Sequence, residues 1–178
     1  MTSPPVSISA LSAVSSMPVT EGAFQALIRT FGLLERVMQP YFAGFGVSAS
    51  QWAVLRTLQR AEQENVLGLR LTDLSDRLFI RPPSVTGVID RLVRAGLVAR
   101  KTSTDDLRAK LVRLTPKGRD LLERALASHA KQMSRVLGGL NTEEQLQLRR
   151  LLLNLGQHLT GMISQNRDDA SHVTASQV

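Results

Sequence analysis

The arginines concentrated in one stretch of this chain are suited to one kind of chemistry, the recognition of phosphates. Between Arg70 and Arg119 stand twelve Lys or Arg against five Asp, so this stretch alone carries +7, the formal net charge of the whole 178-residue chain. The rest of the sequence is neutral overall. A basic surplus confined to one stretch is the electrostatic footprint of a surface that binds nucleic acid. Within it, Arg81 ends an expected turn, Ser84, Val85, Thr86, Arg91 and Arg94 share the expected helix that follows, and Thr104, Arg108 and Lys110 lie in and beside the loop of an expected hairpin. These nine are the candidate DNA contacts. The arginines suit phosphates, and Ser84 and Thr86 suit base edges or phosphates. Asp90 is expected to pair with one of Arg81, Arg91 or Arg94. Asp106 is expected to orient Arg108 or Arg100 through a charge-assisted hydrogen bond.

Other chemistries find little support. The absence of cysteine removes disulfides and thiol catalysis. His129, His158 and His172 are far apart, and no acid stands at close ligand spacing to His158, so no metal site is expected. No glycine-rich phosphate loop or nucleophile motif occurs, which points away from an enzyme and from any cofactor. No run of eighteen apolar residues suggests a membrane span. The first positive charge is Arg29, and Ser and Pro interrupt the apolar residues before it, so no signal peptide is read. The expected location is the cytoplasm.

The elements that must position these residues follow from periodicity and punctuation. Residues 1–19, rich in Ser and Pro, read as an arm, and residues 164–178 as a polar tail. A helix is expected from Thr20, as cap, to Phe45, kinked at Pro40. Its apolar stripe (Phe24, Leu27, Ile28, Phe31, Leu34, Met38) is broader than one small lobe can cover. Ser48 to Gln51 spells a capping box for a second helix, with Trp52, Leu55 and Leu58 facing inward. A very short strand is expected within 66–71, then a helix capped by Thr72 and a turn at 79–81. The next helix opens with Pro82-Pro83, carries the inward stripe Val85, Val88, Ile89 and Leu92, and stops at Gly96. A hairpin spans 97–114. Thr115-Pro116 then restarts helix to Leu137, and Thr142 to Gln145 spells another capping box for a last helix.

A helix–turn–helix followed by a basic hairpin makes physical sense as a groove reader. The second helix fits the major groove, and an arginine at the hairpin tip is drawn to the narrow minor groove. These residues resemble the MarR family of winged-helix regulators. The resemblance rests on Arg100, then Asp106-Leu107-Arg108, then Leu114-Thr115-Pro116-Lys117-Gly118. It is supported by Asp90-Arg91-Leu92 before Gly96-Leu97-Val98 and by Ser48 to Trp52. Gly87 departs from the family pattern, where a longer polar residue is usual.

The resemblance implies a mainly α, winged helix-turn-helix fold with a helical dimerisation lobe. Its order would be helix, helix, strand, helix, helix, strand, wing, strand, helix, helix. It assigns residues 20–47 and 116–163 to dimerisation and 48–115 to DNA binding. It further implies a homodimer on a double-stranded, pseudo-palindromic operator, released by a small aromatic acid or phenol. Arg29, Arg36, Tyr41, Trp52 and His129 are the expected effector pocket, with the arginines pairing a carboxylate. The alternative is a constitutive winged-helix module for DNA architecture or protein contacts.

Overall fold

The computed structural model describes residues 18–102 and 110–175, with side chains to residue 165. Residues 1–17 of the expected arm (1–19) and residues 103–109 of the expected wing, which include Thr104, Asp106 and Arg108, lie outside the described residues. The chain divides into two compact units, the first ending at Ala130 and the second beginning at Lys131.

Within the first unit, α1 spans Val19–Ala43. Pro18, not Thr20, stands at its N-cap, with no side-chain cap bond. Proline suits this place because the first helical N–H groups have no partners to lose. Pro40 is accommodated inside the helix, and the chain then turns through Gly44 and Gly46, short of the expected Phe45.

The next helix, α2 (Ala49–Gln63), is capped as its sequence spells out. Ser48 Oγ accepts from the Gln51 N–H (3.2 Å), and Gln51 Oε1 accepts from the Ser48 N–H (2.8 Å). Trp52, Val54, Leu55, Leu58 and Ala61 are buried, and α2 packs against α1 and the two helices that follow it.

The short helix α3 spans Leu71–Leu78 with Arg70 at its N-cap, so Thr72 lies inside it. The Asp73 carboxylate reaches back to accept from the Arg70 N–H at 2.9 Å. The expected strand before it is a single bridge, Leu69 to Val112. Helix α4 (Pro82–Arg94) follows, and its stripe Val85, Val88, Ile89 and Leu92 is buried. Gly96, at φ +70°, turns the chain in the left-handed region that glycine enters at least cost.

Strands β1 (Val98–Thr102) and β2 (Lys110–Leu114) form an antiparallel hairpin, with Val98 opposite Leu114 and Arg100 opposite Val112. Helix α5 (Pro116–Leu137) begins at once. Thr115 Oγ1 donates to Gly96 O (2.7 Å) and accepts from the Gly118 N–H (3.0 Å), locking hairpin to helix. Gly118 is required here, because a Cβ would stand 2.1 Å from the Leu97 carbonyl oxygen. The Leu-Thr-x-x-Gly run is thus a packing joint. Leu55, Leu58, Leu74, Ile89, Leu92 and Leu122, all fully buried, form the centre of the core. Each such side chain contributes about 1.5–3 kcal/mol. Exposed ion pairs span the surface, Glu62 with Arg119 (2.6 Å) and Glu64 with Arg77 (3.1 Å). Each is worth about 0–1 kcal/mol.

The second unit holds the end of α5 and the long helix α6 (Thr142–Ala175). Its cap is one residue earlier than expected: Asn141 Oδ1 accepts from the Glu144 N–H (3.0 Å), and the Glu144 carboxylate accepts from the Asn141 N–H (2.8 Å). Gln145 instead donates to the Leu140 carbonyl. The stretch expected as a tail after residue 163 continues the helix to Ala175, since no glycine or proline interrupts it. Among the described side chains of α6 none is buried, although Leu152, Leu155, Leu159, Met162 and Ile163 line one side.

Candidate nucleic-acid interface

Helix α4 is anchored by one face and open on the other. Val85, at 1 % exposure, belongs to the anchor and not to a DNA contact surface. Its helical phase, shared with Ile89 and Leu92, turns it inward. Arg81, Ser84, Arg91 and Arg94 are exposed, with Arg81 and Ser84 at the helix N-terminus, where the helix dipole favours an anion. Thr86 is half-buried and donates its hydroxyl to Pro82 O (3.1 Å), leaving oxygen lone pairs to accept. The Arg94 Nε–H makes a long bond to Asp90 O (3.4 Å). The Arg91 guanidinium folds along the helix over Gly87, 3.8 Å from where a Cβ would be.

Asp90 pairs with none of Arg81, Arg91 or Arg94. Its carboxylate accepts from Arg100 Nη2 at 2.7 Å, tying α4 to β1. The hairpin brings Arg100 alongside the helix, a proximity that spacing along the chain does not reveal. Lys110 is exposed at the start of β2, opposite Thr102. Lys117, absent from the candidate set, donates to Ala95 O (2.9 Å) and holds the end of α4 to α5. The expected wing contacts Thr104 and Arg108, and their neighbour Asp106, lie outside the described residues.

The expected effector residues separate into two groups. Tyr41, Trp52 and His129 come together, with ring centroids of Trp52 and Tyr41 at 5.4 Å and 6.0 Å from His129. Phe42 and Phe45 complete the cluster. The Tyr41 hydroxyl donates to Ala125 O (2.8 Å), and Trp52 is buried. Among the described residues, His129 Nδ1 is buried without a hydrogen-bond partner. Burial, and secondarily the Arg56 charge, hold the His129 imidazole below its ordinary pKa. Arg29 and Arg36 do not join this group. Both are exposed on α1, and helical phase turns them about 120–140° away from Tyr41. Arg56, four residues after Trp52 on α2, is the cation the cluster does have. That i,i+4 spacing is the signal in the sequence that could have found it. Among the described residues no group of three His, Asp or Glu is placed to hold a metal ion. Among them, too, no helix is long and apolar enough to cross a membrane.

A groove-sized helix, held by its apolar face and flanked by a basic hairpin, defines the winged helix-turn-helix class of DNA-binding proteins. The MarR family pattern matches residues 45–109. The transcriptional repressor YetL of Bacillus subtilis is 29% identical over 145 residues, covering 80% of this chain and 85% of that protein. The regulator YkoM of the same organism is 33% identical over 113 residues, covering 64% of this chain and 70% of that one. Among solved structures, BpsR of Bordetella bronchiseptica matches with a TM-score of 0.69 at 27% identity, covering 79% of this chain and 96% of that one. Escherichia coli MarR complexed with operator DNA shares the fold, with a TM-score of 0.67 at 23% identity, covering 74% and 91% of the two chains. The chain belongs to the MarR family and is a DNA-binding transcription regulator, not an enzyme.

Proposed function

We propose that this protein is a homodimeric, sequence-specific repressor that leaves a pseudo-palindromic operator when a small aromatic or phenolic effector binds. The observation that carries the DNA reading is the open face of α4, where Arg81, Ser84, Arg91 and Arg94 are exposed while the opposite stripe is fully anchored. Such a helix can enter a major groove without unfolding anything behind it. A cytoplasmic location follows from an operator target.

Dimerisation is supported by apolar surface that the chain does not cover. On α1, Phe24 and Phe31 are each 60 % exposed, in line with Leu27, Ile28 and Leu34. The stripe on α6 is similarly bare. Contiguous apolar stripes of this length mark protein interfaces. In this reading residues 20–47 and 116–163 supply the dimer lobe.

Effector control is supported by the cluster of Tyr41, Trp52 and His129, which joins α1, α2 and α5 beside Arg56. BpsR, a similar protein, is described with its DNA binding regulated by 6-hydroxynicotinic acid, an aromatic acid. An effector that favours one arrangement of α4 lowers operator affinity only by its differential affinity for the two arrangements. The test is calorimetric titration of the dimer with benzoates, cinnamates, hydroxynicotinates and phenols, with and without DNA. Binding weakened by operator DNA supports the reading. Binding indifferent to DNA, or none at all, leaves a constitutive DNA-binding module.

A further inference from the structure

Phe79 carries two costs, a strained backbone and an exposed ring. Its backbone sits at φ +53°, ψ 35°, the left-handed region that bulky side chains rarely enter. Its ring is 70 % exposed, among the most exposed large apolar side chains of the first unit. The turn itself is firmly fixed. Ile80 N–H donates to Ser75 O (3.1 Å), and the Ser75 hydroxyl donates back to the Ile80 carbonyl. Glycine or asparagine would satisfy the same turn without the strain.

The place of the ring suggests what offsets these costs. Phe79 ends α3 two residues before Arg81, the N-cap of α4, so it flanks the end of the helix whose exposed face is the reading surface. We infer that Phe79 packs on the sugar–phosphate backbone of the bound duplex, laying its ring against deoxyribose as an uncharged clamp beside Arg81. The inference rests on the assignment of α4 as the groove-reading helix. An aromatic ring and a deoxyribose each lose apolar surface in such a contact, and no base identity is read.

This predicts an unusual pair of effects. Phe79→Gly should raise the melting temperature, by about 2–4 °C, while weakening operator binding on the order of tenfold for a dimer that presents the ring twice. Because the clamp is uncharged, the slope of log affinity against log salt should not change. In contrast, Arg81→Ala should reduce that slope by about one for each phosphate that Arg81 neutralises. Phe79→Tyr, which keeps the ring, should bind like the parent protein. Fluorescence anisotropy with operator and with random duplex, from low to moderate salt, measures all of these. Equal loss on both duplexes at constant slope supports the clamp. Unchanged affinity in Phe79→Gly overturns it and leaves the exposed ring to a protein partner. A loss confined to operator overturns it in favour of base readout. Failure of the parent protein to bind either duplex refutes the α4 assignment itself, separately from Phe79.

Discussion

The winged-helix segment and helix α6 treat their apolar residues in opposite ways. From α2 to the start of α5 most of the leucines, valines and isoleucines close over one another, and ten large side chains are fully buried. In α6 a comparable density of leucine leaves every described side chain at least partly open, with Leu152 and Leu155 still 47 % and 37 % exposed. One region completes its core within a single chain, and the other does not. A soluble chain tolerates the second only if another surface covers it, because exposed apolar stripes favour association. The contrast separates reading from assembly. In the proposed dimer the groove-reading helix would rest on the finished core, and a second copy would cover what that core leaves over.

The largest expected effect comes from spoiling the unfinished region. Leu152→Asp in α6 should convert the dimer to monomer, read by sedimentation at micromolar concentration. Operator affinity should fall about 10²–10⁴-fold as the second half-site becomes an independent binding event. A Leu152→Asp protein that stays dimeric would show that α6 is not the covered surface. The complementary change is Ile89→Ala within α4, where the side chain is fully buried. It should cost about 2–5 kcal/mol of stability through lost burial and a residual cavity, measured by urea unfolding. Binding should then weaken chiefly through unfolding, so that it recovers under stabilising conditions.

The finished region is also the more legible one. Ser48 with Gln51, Pro82-Pro83, Gly96 and Thr115-Pro116 are local signals, each resolved by hydrogen bonds within a few residues, and the chain obeys them. Where two local signals compete, sequence does not arbitrate. Asn141 with Glu144 and Thr142 with Gln145 both spell a cap, and the carboxylate forms the one observed. Arg70 is no capping residue by type, so the help it receives from Asp73 is not legible in the sequence. Contacts made across elements are least legible. The Asp90–Arg100 pair depends on where the hairpin lies, and the place of Arg56 beside His129 depends on how α2 meets α5. Val85 fits both the core stripe and the DNA-contact set by residue type and position, and only its helical phase is informative.

A smaller effect sharpens the reading surface. Gly87 lies in the middle of α4, yet an added Cβ would meet nothing closer than Arg91 at 3.8 Å. Gly87→Ala should therefore stabilise the fold by about 0.5–1 kcal/mol, the usual gain in a helix interior. If α4 approaches the bases closely at this point, operator affinity should drop even as thermal stability rises. Improved stability with unchanged affinity would place Gly87 away from the groove floor.

The smallest effect is a pH dependence. Burial and Arg56 lower the folded-state pKa of His129, so the unfolded chain binds this proton more readily. The stability at issue is fully present above about pH 6.5, the ordinary value for histidine. It is lost as pH falls below that value toward the depressed folded pKa. Melting temperatures from pH 8 to 5 should show this decline, and His129→Gln should flatten that part of the curve. A parallel decline in the variant would assign it to other groups.

In the proposed dimer a finished reading surface is presented twice. Footprinting of the purified full-length protein on its own genomic DNA, at moderate salt, tests it most directly. Protected sites should contain two inverted half-sites whose centres lie about one helical turn, roughly 10 base pairs, or a multiple of it apart. Protection of single, unsymmetrical sites, or general coating of the DNA without preferred sequences, would contradict it.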